Sequence, residues 1–264
     1  MSALTEQLAS LGLHHTAAGL DDLVALATKR RFGPVELLEF LARGELDDRA
    51  RRGMERRLSR SRLGRFKPMA DFDWSWPERI DREAVESVLR LDFLQEARNV
   101  VLVASQGLGK TMIAQNIAHQ AVLTGQTVLF TTAAQLLLDL GGQESSRSLD
   151  RRLRHYCSQT SLLVIDEIGY LSYDNRNADL LFQVVTRRYE KKSLVVTTNL
   201  AFADWPTVFP NAACTTALID RLVHHSEIIK IEGKSYRQKT ATEQKSARSA
   251  VRARGPAGSN SGGS

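Results

Sequence analysis

The stretch Asn99-Val-Val-Leu-Val-Ala-Ser-Gln-Gly-Leu-Gly-Lys-Thr111 decides the fold. Its β-branched start, residues 100–103, predicts a buried strand, and residues 112–123 predict a helix. A strand, a glycine-rich turn, Lys-Thr and a helix in this order are the parts of a P-loop. In that motif, backbone N–H groups and the helix N-terminus hold a phosphate, Lys110 reaches the outer phosphates, and the Thr111 hydroxyl can hold Mg2+. A chance Gly-Lys-Thr at a helix start is the alternative.

The P-loop interpretation predicts ATP and Mg2+ as cofactors. The full motif has glycine at the position of Ala104, and alanine is tolerable there if its φ is negative. The predicted nucleotide contacts are Ala104, Ser105, Gln106, Gly107, Leu108, Gly109, Lys110, Thr111 and Met112.

A second stretch, Ser161-Leu-Leu-Val-Ile-Asp166-Glu167, is an apolar strand that ends in two acids. Because it follows the P-loop after an interval that fits αβα, it matches a Walker B element, although chance strands also end this way. Asp166 is then predicted to lie beside Mg2+ together with Thr111. Glu167 is predicted to polarise the attacking water.

Two later polar residues complete the predicted catalytic set, which also contains Lys110 and Glu167. Asn199 ends the apolar strand at residues 193–198, where a polar side chain can reach the attacking water; a turn residue is the alternative. Arg221 lies on a late helix. It is predicted to act as an arginine finger in a neighbouring subunit's site, with a surface cation as the alternative.

Residues 49–67 carry nine cations against the single acid Glu55. Like charges this close repel unless an anion lies across them, so we expect contact with a nucleic-acid backbone rather than only a solvated helix face. No base-reading motif is present, so any DNA binding should be independent of sequence. The predicted DNA contacts are Arg49, Arg51, Arg52, Arg56, Arg57, Arg60, Arg62, Arg65 and Lys67.

The composition predicts a cytoplasmic protein with a polyanionic partner, although so modest an excess of positive charge could also serve only solubility. The chain has 264 residues, a formal charge of +6 and a pI near 9.5. Two cysteines are too few for a disulfide framework or a zinc site, and no signal peptide or long apolar run is evident. The adjacent pairs His14–His15 and His224–His225 have no companion ligands at metal spacing, so surface or interface positions are expected.

Three segments are predicted along the chain. Residues 1–67 should form a helical, basic domain for DNA binding and oligomerisation, residues 68–239 an ATPase domain, and residues 240–264 a disordered basic tail. Within the second segment, the aromatic connector at residues 68–82 is predicted to be a packing strip, with a position near the adenine as a further hypothesis.

Over residues 64–238 the chain resembles the IstB-like transposition helper ATPases, which are AAA+ proteins close to DnaC and DnaA. The Walker motifs are widespread, whereas other groups are more particular to this family. The groups that carry the resemblance are Ala104–Thr111, Leu163-Val-Ile-Asp-Glu-Ile-Gly-Tyr-Leu171, Leu181-Phe182, Arg188-Tyr189-Glu190, Thr197-Thr198-Asn199-Leu200, Trp205, Phe209, Asp220-Arg221-Leu222, His224-His225 and Gly233-Lys-Ser-Tyr-Arg237.

The resemblance implies an ATP-dependent regulator that oligomerises on double-stranded DNA, with nucleotide at the subunit interfaces, and assists an IstA-like transposase in target selection. By the same resemblance Asn199 matches sensor 1, Arg221 matches the finger acting in trans, and Arg237 lies where an arginine can sense nucleotide. No membrane partner is implied.

The predicted fold is an α/β P-loop NTPase αβα sandwich with a central parallel five-stranded sheet (the AAA+ core), preceded by a small helical N-terminal domain. Two rival functions stay open. One is a DnaC-like helicase loader in DNA replication that prefers single strands. The other is a static nucleotide-binding module, although such a module does not need the second acid, Glu167.

Overall fold

A computed structural model describes residues 3–170 and 172–236 of the chain. The chain divides between Ser59 and Arg60 into two compact units. The helices are α1 (Ala3–Ser10), α2 (His14–Ala18), α3 (Leu20–Arg30), α4 (Pro34–Arg60), α5 (Arg82–Leu89), α6 (Lys110–Leu123), α7 (Ala133–Gly141), α8 (Ser146–Cys157), α9 (Asn175–Arg188) and α10 (Ala212–Val223). The strands are β1 (Arg79–Ile80), β2 (Asn99–Ala104), β3 (Val128–Thr132), β4 (Leu162–Ile168), β5 (Leu194–Thr198) and β6 (Ser226–Glu232).

The first unit is helical, which confirms the predicted helical N-terminal region. One buried contact ties its short helices to the long one, because the Glu45 carboxylate of α4 accepts a hydrogen bond from the Thr16 backbone N–H of α2 at 2.8 Å. Arg49 adds a second contact by donating from its guanidinium to the Gly12 carbonyl at 3.2 Å.

The second unit is built on a six-stranded sheet with the order β1-β6-β2-β5-β4-β3. The five strands β2 to β6 run parallel, as predicted, but the prediction of a five-stranded, wholly parallel sheet is wrong by one strand. The additional strand, β1, pairs antiparallel with β6, with Arg79 opposite Glu232 and Ile80 opposite Ile231. A two-residue strand carries no hydrophobic periodicity, so the sequence pattern could not reveal it.

Helices cover both faces of this sheet, which confirms the αβα sandwich. Successive side chains of a strand point to opposite faces. Accordingly, Val100 and Leu102 belong to one core cluster together with residues of α5 and α6. Val101, between them, belongs to a second cluster with residues of α7, α8, α9 and α10.

Arg188 joins three backbone segments by hydrogen bonds at the amino-terminal edge of the sheet. Its side chain is fully buried and donates to five backbone carbonyls at the end of α8 and at the starts of β4 and β5. Burial lowers the pKa of this guanidinium to about 10, so the group is still charged at neutral pH. The acceptors are the carbonyls of Tyr156 (2.8 Å), Cys157 (3.3 Å), Thr160 (3.0 Å), Ser161 (2.8 Å) and Ser193 (2.7 Å).

We expect Arg188→Ala to lower the free energy of unfolding by about 3–5 kcal/mol, because it leaves several buried carbonyls without donors. Arg188→Lys should recover only part of this loss, since an ammonium has three donors and no planar fork. The matched control is Arg187→Ala. Arg187 is the exposed neighbour whose ion pair with Asp150 is worth less than about 1 kcal/mol. Urea unfolding measures all three, and equal losses for Arg188→Ala and Arg187→Ala would contradict this role.

Candidate nucleotide-binding site

The predicted site residues of three strands meet at the carboxyl edge of the sheet. In the sheet order, β5 lies between β2 and β4. Lys110 follows β2 through the glycine turn, Asp166 lies near the end of β4, and Asn199 directly follows β5. Ligands of open α/β sheets bind outside this edge, so the strand order places the predicted groups where a nucleotide would be held.

The glycine turn has the backbone that a phosphate cradle requires. Gly107 and Gly109 have φ values of 78° and 91°, which residues other than glycine adopt only with strain. Ala104 is the last residue of β2 and is paired with Ile231 in the sheet, so the departure from glycine is accommodated by an extended backbone. Lys110 begins α6, and its Nζ donates to the carbonyls of Ala104 at 2.6 Å and Ser105 at 2.8 Å.

A hydroxyl network joins the P-loop to the acids of β4. The Thr111 hydroxyl donates to both carboxylate oxygens of Asp166, at 3.0 and 3.2 Å. From the other side, the buried Thr197 hydroxyl of β5 donates to Asp166 and accepts the Glu167 backbone N–H at 2.9 Å. Thr197 was not predicted as a site residue, because a threonine within an apolar strand carries no signal of which face it occupies.

Glu167 lies at an irregularity in β4. The pairing of β4 with β5 shifts register between Ile165 and Ile168, and Glu167 has a left-handed φ of 63°. Such a backbone is uncommon for a side-chain-bearing residue and clusters at functional sites. The consequence is visible in burial, because Asp166 is only 4% exposed whereas the next side chain, Glu167, is exposed and lines the cavity.

Asn199 also lines this cavity. Its side-chain Oδ1 is buried, and no hydrogen-bond donor reaches it from the described parts of the chain. A buried polar atom without a partner is costly, so this acceptor, in the same cavity as Glu167, is available for a hydrogen bond from a bound group.

The cavity over the P-loop has a volume of about 600 Å³. Of the predicted nucleotide and catalytic residues, 106–112, Glu167 and Asn199 line it, whereas Ala104, Ser105 and Asp166 do not. The predicted DNA contact Lys67, the aromatic connector (including Phe72 and Trp76) and Tyr236 also line it. The Phe72 ring is so close to Gly109 that a Cβ on this glycine would lie 2.6 Å from Cε2 of the ring. The aromatic lining residues were not predicted individually, although a position of residues 68–82 near the adenine was a hypothesis and stays one.

A strap formed by residues 233–236 crosses the P-loop. Tyr236 donates its backbone N–H to the Gly107 carbonyl at 3.0 Å, and Trp76 donates from its indole to the Lys234 carbonyl at 2.8 Å. Ser235 lies against Gly107, where a Cβ would be 2.2 Å from the serine Oγ. The strap is distant from the P-loop in sequence, so only the folded chain reveals the contact. Arg237, the predicted nucleotide sensor, lies outside the described residues.

Arg221 is not among the side chains lining this cavity. It lies in the last turn of α10, with its guanidinium 4.5 Å from the centre of the Phe182 ring. The Arg221 carbonyl accepts from the Asn99 side chain at 3.4 Å. Asn99 is the first residue of β2, and the P-loop follows the last residue of β2. At about 3.3 Å per residue, the strand separates Asn99 from the start of the P-loop by about 17 Å.

The nine predicted DNA-contacting cations differ in their surroundings. Arg51 pairs with Asp48 and Glu55, and Arg52 pairs with Asp48, so their charges are partly neutralised. Within the described residues, no carboxylate lies within ion-pair distance of the exposed group Arg56, Arg60, Arg65 and Lys67. These four keep their charge available. As for membranes, no described helix combines the length and the apolar character needed to cross a bilayer.

Comparisons with known proteins identify a family for the chain. The family model of the IstB-like ATP binding protein matches residues 6–244. The chain is 36% identical over 239 residues to the "Insertion sequence IS21 putative ATP-binding protein" of Pseudomonas aeruginosa, covering 90% of each protein. It is 33% identical to the "Insertion sequence IS232 putative ATP-binding protein" of Bacillus thuringiensis, covering 89% of this chain and 94% of that one.

Among solved structures, the chain is similar to the crystal structure of DnaI, with a TM-score of 0.51 and 16% identity. The likeness covers 64% of this chain and 92% of DnaI. At this identity it supports the fold alone.

We expect Gly107→Ala to weaken ATP binding at least about tenfold, or ~1.4 kcal/mol. The new methyl group would collide with Ser235 and move the backbone amides that are predicted to hold phosphate. Gly125→Ala is the matched control, because Gly125 also has a positive φ, 93°, but nothing lies within 4 Å of its Cβ position. Calorimetry measures both affinities. Adding Ser235→Gly to Gly107→Ala should restore part of the affinity, and equal affinities for the two alanine variants would contradict the contact.

Proposed function

Because the chain belongs to the IstB-like ATP-binding protein family, we propose that it is a Mg2+-dependent ATPase that oligomerises on duplex DNA and assists a transposase. The observation that carries the proposal is the hydroxyl network that fixes Asp166 and Glu167 beside the P-loop. A site that only stored nucleotide would not need an exposed second acid on a strained backbone. The network therefore favours hydrolysis over static binding.

The residues present fit a magnesium ion. The Thr111 hydroxyl and both Asp166 carboxylate oxygens converge within 3.2 Å, and Mg2+ prefers such oxygen ligands together with phosphate. When bound, Mg2+ would offset charge developing on the phosphates. In the same site, Lys110 would leave its two carbonyl acceptors and donate to the outer phosphates.

Glu167 and Asn199 are proposed to handle the attacking water. Glu167 is proposed to orient the water and accept its proton, as general bases do. Its exposed carboxylate lies in the same cavity as the P-loop. The orphaned Asn199 acceptor can hold the same water by accepting its second hydrogen. Thr197 positions Asp166 and Glu167, because its one hydroxyl bonds both the Asp166 carboxylate and the Glu167 backbone N–H.

The proposed active site is completed by a neighbouring subunit. Arg221 lies at the amino-terminal edge of the sheet, about 17 Å of strand away from its own P-loop, so it cannot serve its own nucleotide in this fold. A head-to-tail assembly would bring Arg221 of one subunit to the cavity of the next. An arginine supplied in this way stabilises charge in the transition state of phosphoryl transfer.

Exposed cations support a duplex-DNA partner, and the named relatives support a transposase. Arg56, Arg60, Arg65 and Lys67 can contact phosphates without reading bases, which fits binding that is independent of sequence. The two curated relatives are named for insertion sequences. On this basis we propose that ATP acts as an assembly switch on target DNA and that an IstA-like transposase uses the assembly.

Mixing two inactive variants tests the trans site. We expect Glu167→Gln and Arg221→Ala each to bind ATP normally but to lose at least about 100-fold in turnover on duplex DNA. An equal mixture should recover roughly a quarter of wild-type turnover, because about one interface in four then combines an intact Glu167 with an intact Arg221. Phosphate release from preassembled mixtures measures this.

Other outcomes of this experiment would favour the alternative functions or contradict the shared site. A mixture as inactive as its parents would contradict a site shared between subunits. Absence of turnover in the unaltered protein would favour the static module. Stimulation by single strands in preference to duplex would contradict the transposition proposal and favour the helicase loader.

A further inference from the structure

Three potential metal ligands converge at the opposite edge of the sheet from the nucleotide site. Glu190 follows α9, and His224 and His225 form the turn between α10 and β6. The Glu190 Oε1 atom lies 3.7 Å from His224 Nδ1 and 3.7 Å from His225 Nε2. One ligand atom from each residue lies within 4.8 Å of the other two. Sequence spacing did not reveal this group, because its carboxylate comes from a distant turn.

The backbone of this triad brings the two adjacent histidines to the same carboxylate. Side chains of consecutive extended residues point in opposite directions. Here His225 has a left-handed φ of 53°, and Glu190 has a φ of 54°. The two imidazole centres are consequently only 4.0 Å apart, and both reach the same carboxylate oxygen.

We propose that Glu190, His224 and His225 bind a divalent transition-metal cation such as Zn2+. Two imidazoles and a carboxylate are a donor set that zinc uses when it keeps one position open. Bonds of about 2.0–2.2 Å in a tetrahedron place ligand atoms about 3.4 Å apart, so the observed 3.7 Å separations require little movement. All three side chains are exposed, which leaves the fourth position to water or to a ligand.

Donor chemistry separates this triad from the proposed magnesium site. Mg2+ prefers oxygen ligands, as at Thr111 and Asp166, whereas imidazole suits zinc, copper and nickel. Excess Mg2+ should therefore not displace zinc from the triad. The proposal stands apart from the ATPase proposal, since none of its three ligands lines the nucleotide cavity.

Tyr189 gives the proposal a specific consequence. Its hydroxyl shares a 2.7 Å hydrogen bond with His224 Nδ1, the same atom that faces Glu190. A metal on Nδ1 must displace this bond. Tyr189→Phe is accordingly expected to bind zinc at least as tightly as the unaltered protein.

The test is zinc binding by the full chain in excess Mg2+ with a non-thiol reductant, measured by equilibrium dialysis and metal analysis. One zinc per chain is expected. Glu190→Gln should weaken its binding at least about tenfold, because it removes one of three protein ligands, and His224→Asn with His225→Asn should abolish it. The matched control replaces the other adjacent pair, His14 and His15, by asparagine and should keep the zinc.

A second control addresses thiols. Cys214 lies on α10 and is half-buried, so Cys214→Ser should leave the zinc stoichiometry unchanged. No zinc bound above the Mg2+ background, equal loss in the His14–His15 control, or weaker binding by Tyr189→Phe would each overturn the proposal. Zinc should also raise the unfolding temperature of the unaltered protein by more than that of the Glu190→Gln variant at the same zinc concentration, because a ligand stabilises the native state more when it binds more tightly.

Discussion

The Asp166 carboxylate is held between the hydroxyls of Thr111 and Thr197, and the candidate site depends on this interaction. It joins the helix after the P-loop to the ends of β4 and β5. Because Thr197 also accepts the Glu167 backbone N–H, the same hydroxyl fixes the backbone of the second acid at the irregularity in β4. A buried carboxylate must be hydrogen-bonded to be tolerated, so the constraint that stabilises Asp166 also positions the proposed catalytic groups.

The two edges of the sheet differ in how well their polar groups are satisfied. At the amino-terminal edge, the buried Arg188 guanidinium donates to carbonyls from three segments and so connects them. At the carboxyl edge, Glu167 has a strained backbone and Asn199 keeps an unsatisfied acceptor, both of which cost stability. Stabilising contacts at one edge thus offset the cost of strained or unpaired groups at the other.

Much of this arrangement could be predicted from the sequence, because the decisive groups are local. The glycines and Lys110 of the P-loop, and the paired acids after an apolar run, carry their chemistry in consecutive residues. What could not be predicted depends on register or on distant segments. Thr197 and Thr198 look alike in sequence, and only strand pairing decides that Thr197 faces Asp166. The two-residue β1, the strap at residues 233–236 and the contact of Glu190 with two histidines all require the folded chain.

The proposed function depends on ATP assembling subunits along duplex DNA, and the mass of the assembly measures this step. The protein would be weighed on a duplex of several tens of base pairs with ATP, with ADP and without nucleotide. We predict a large complex only with duplex and ATP, weakened when Arg56, Arg60 and Arg65 are replaced together by alanine. A monomer of constant mass that ignores duplex DNA in all three conditions would contradict it.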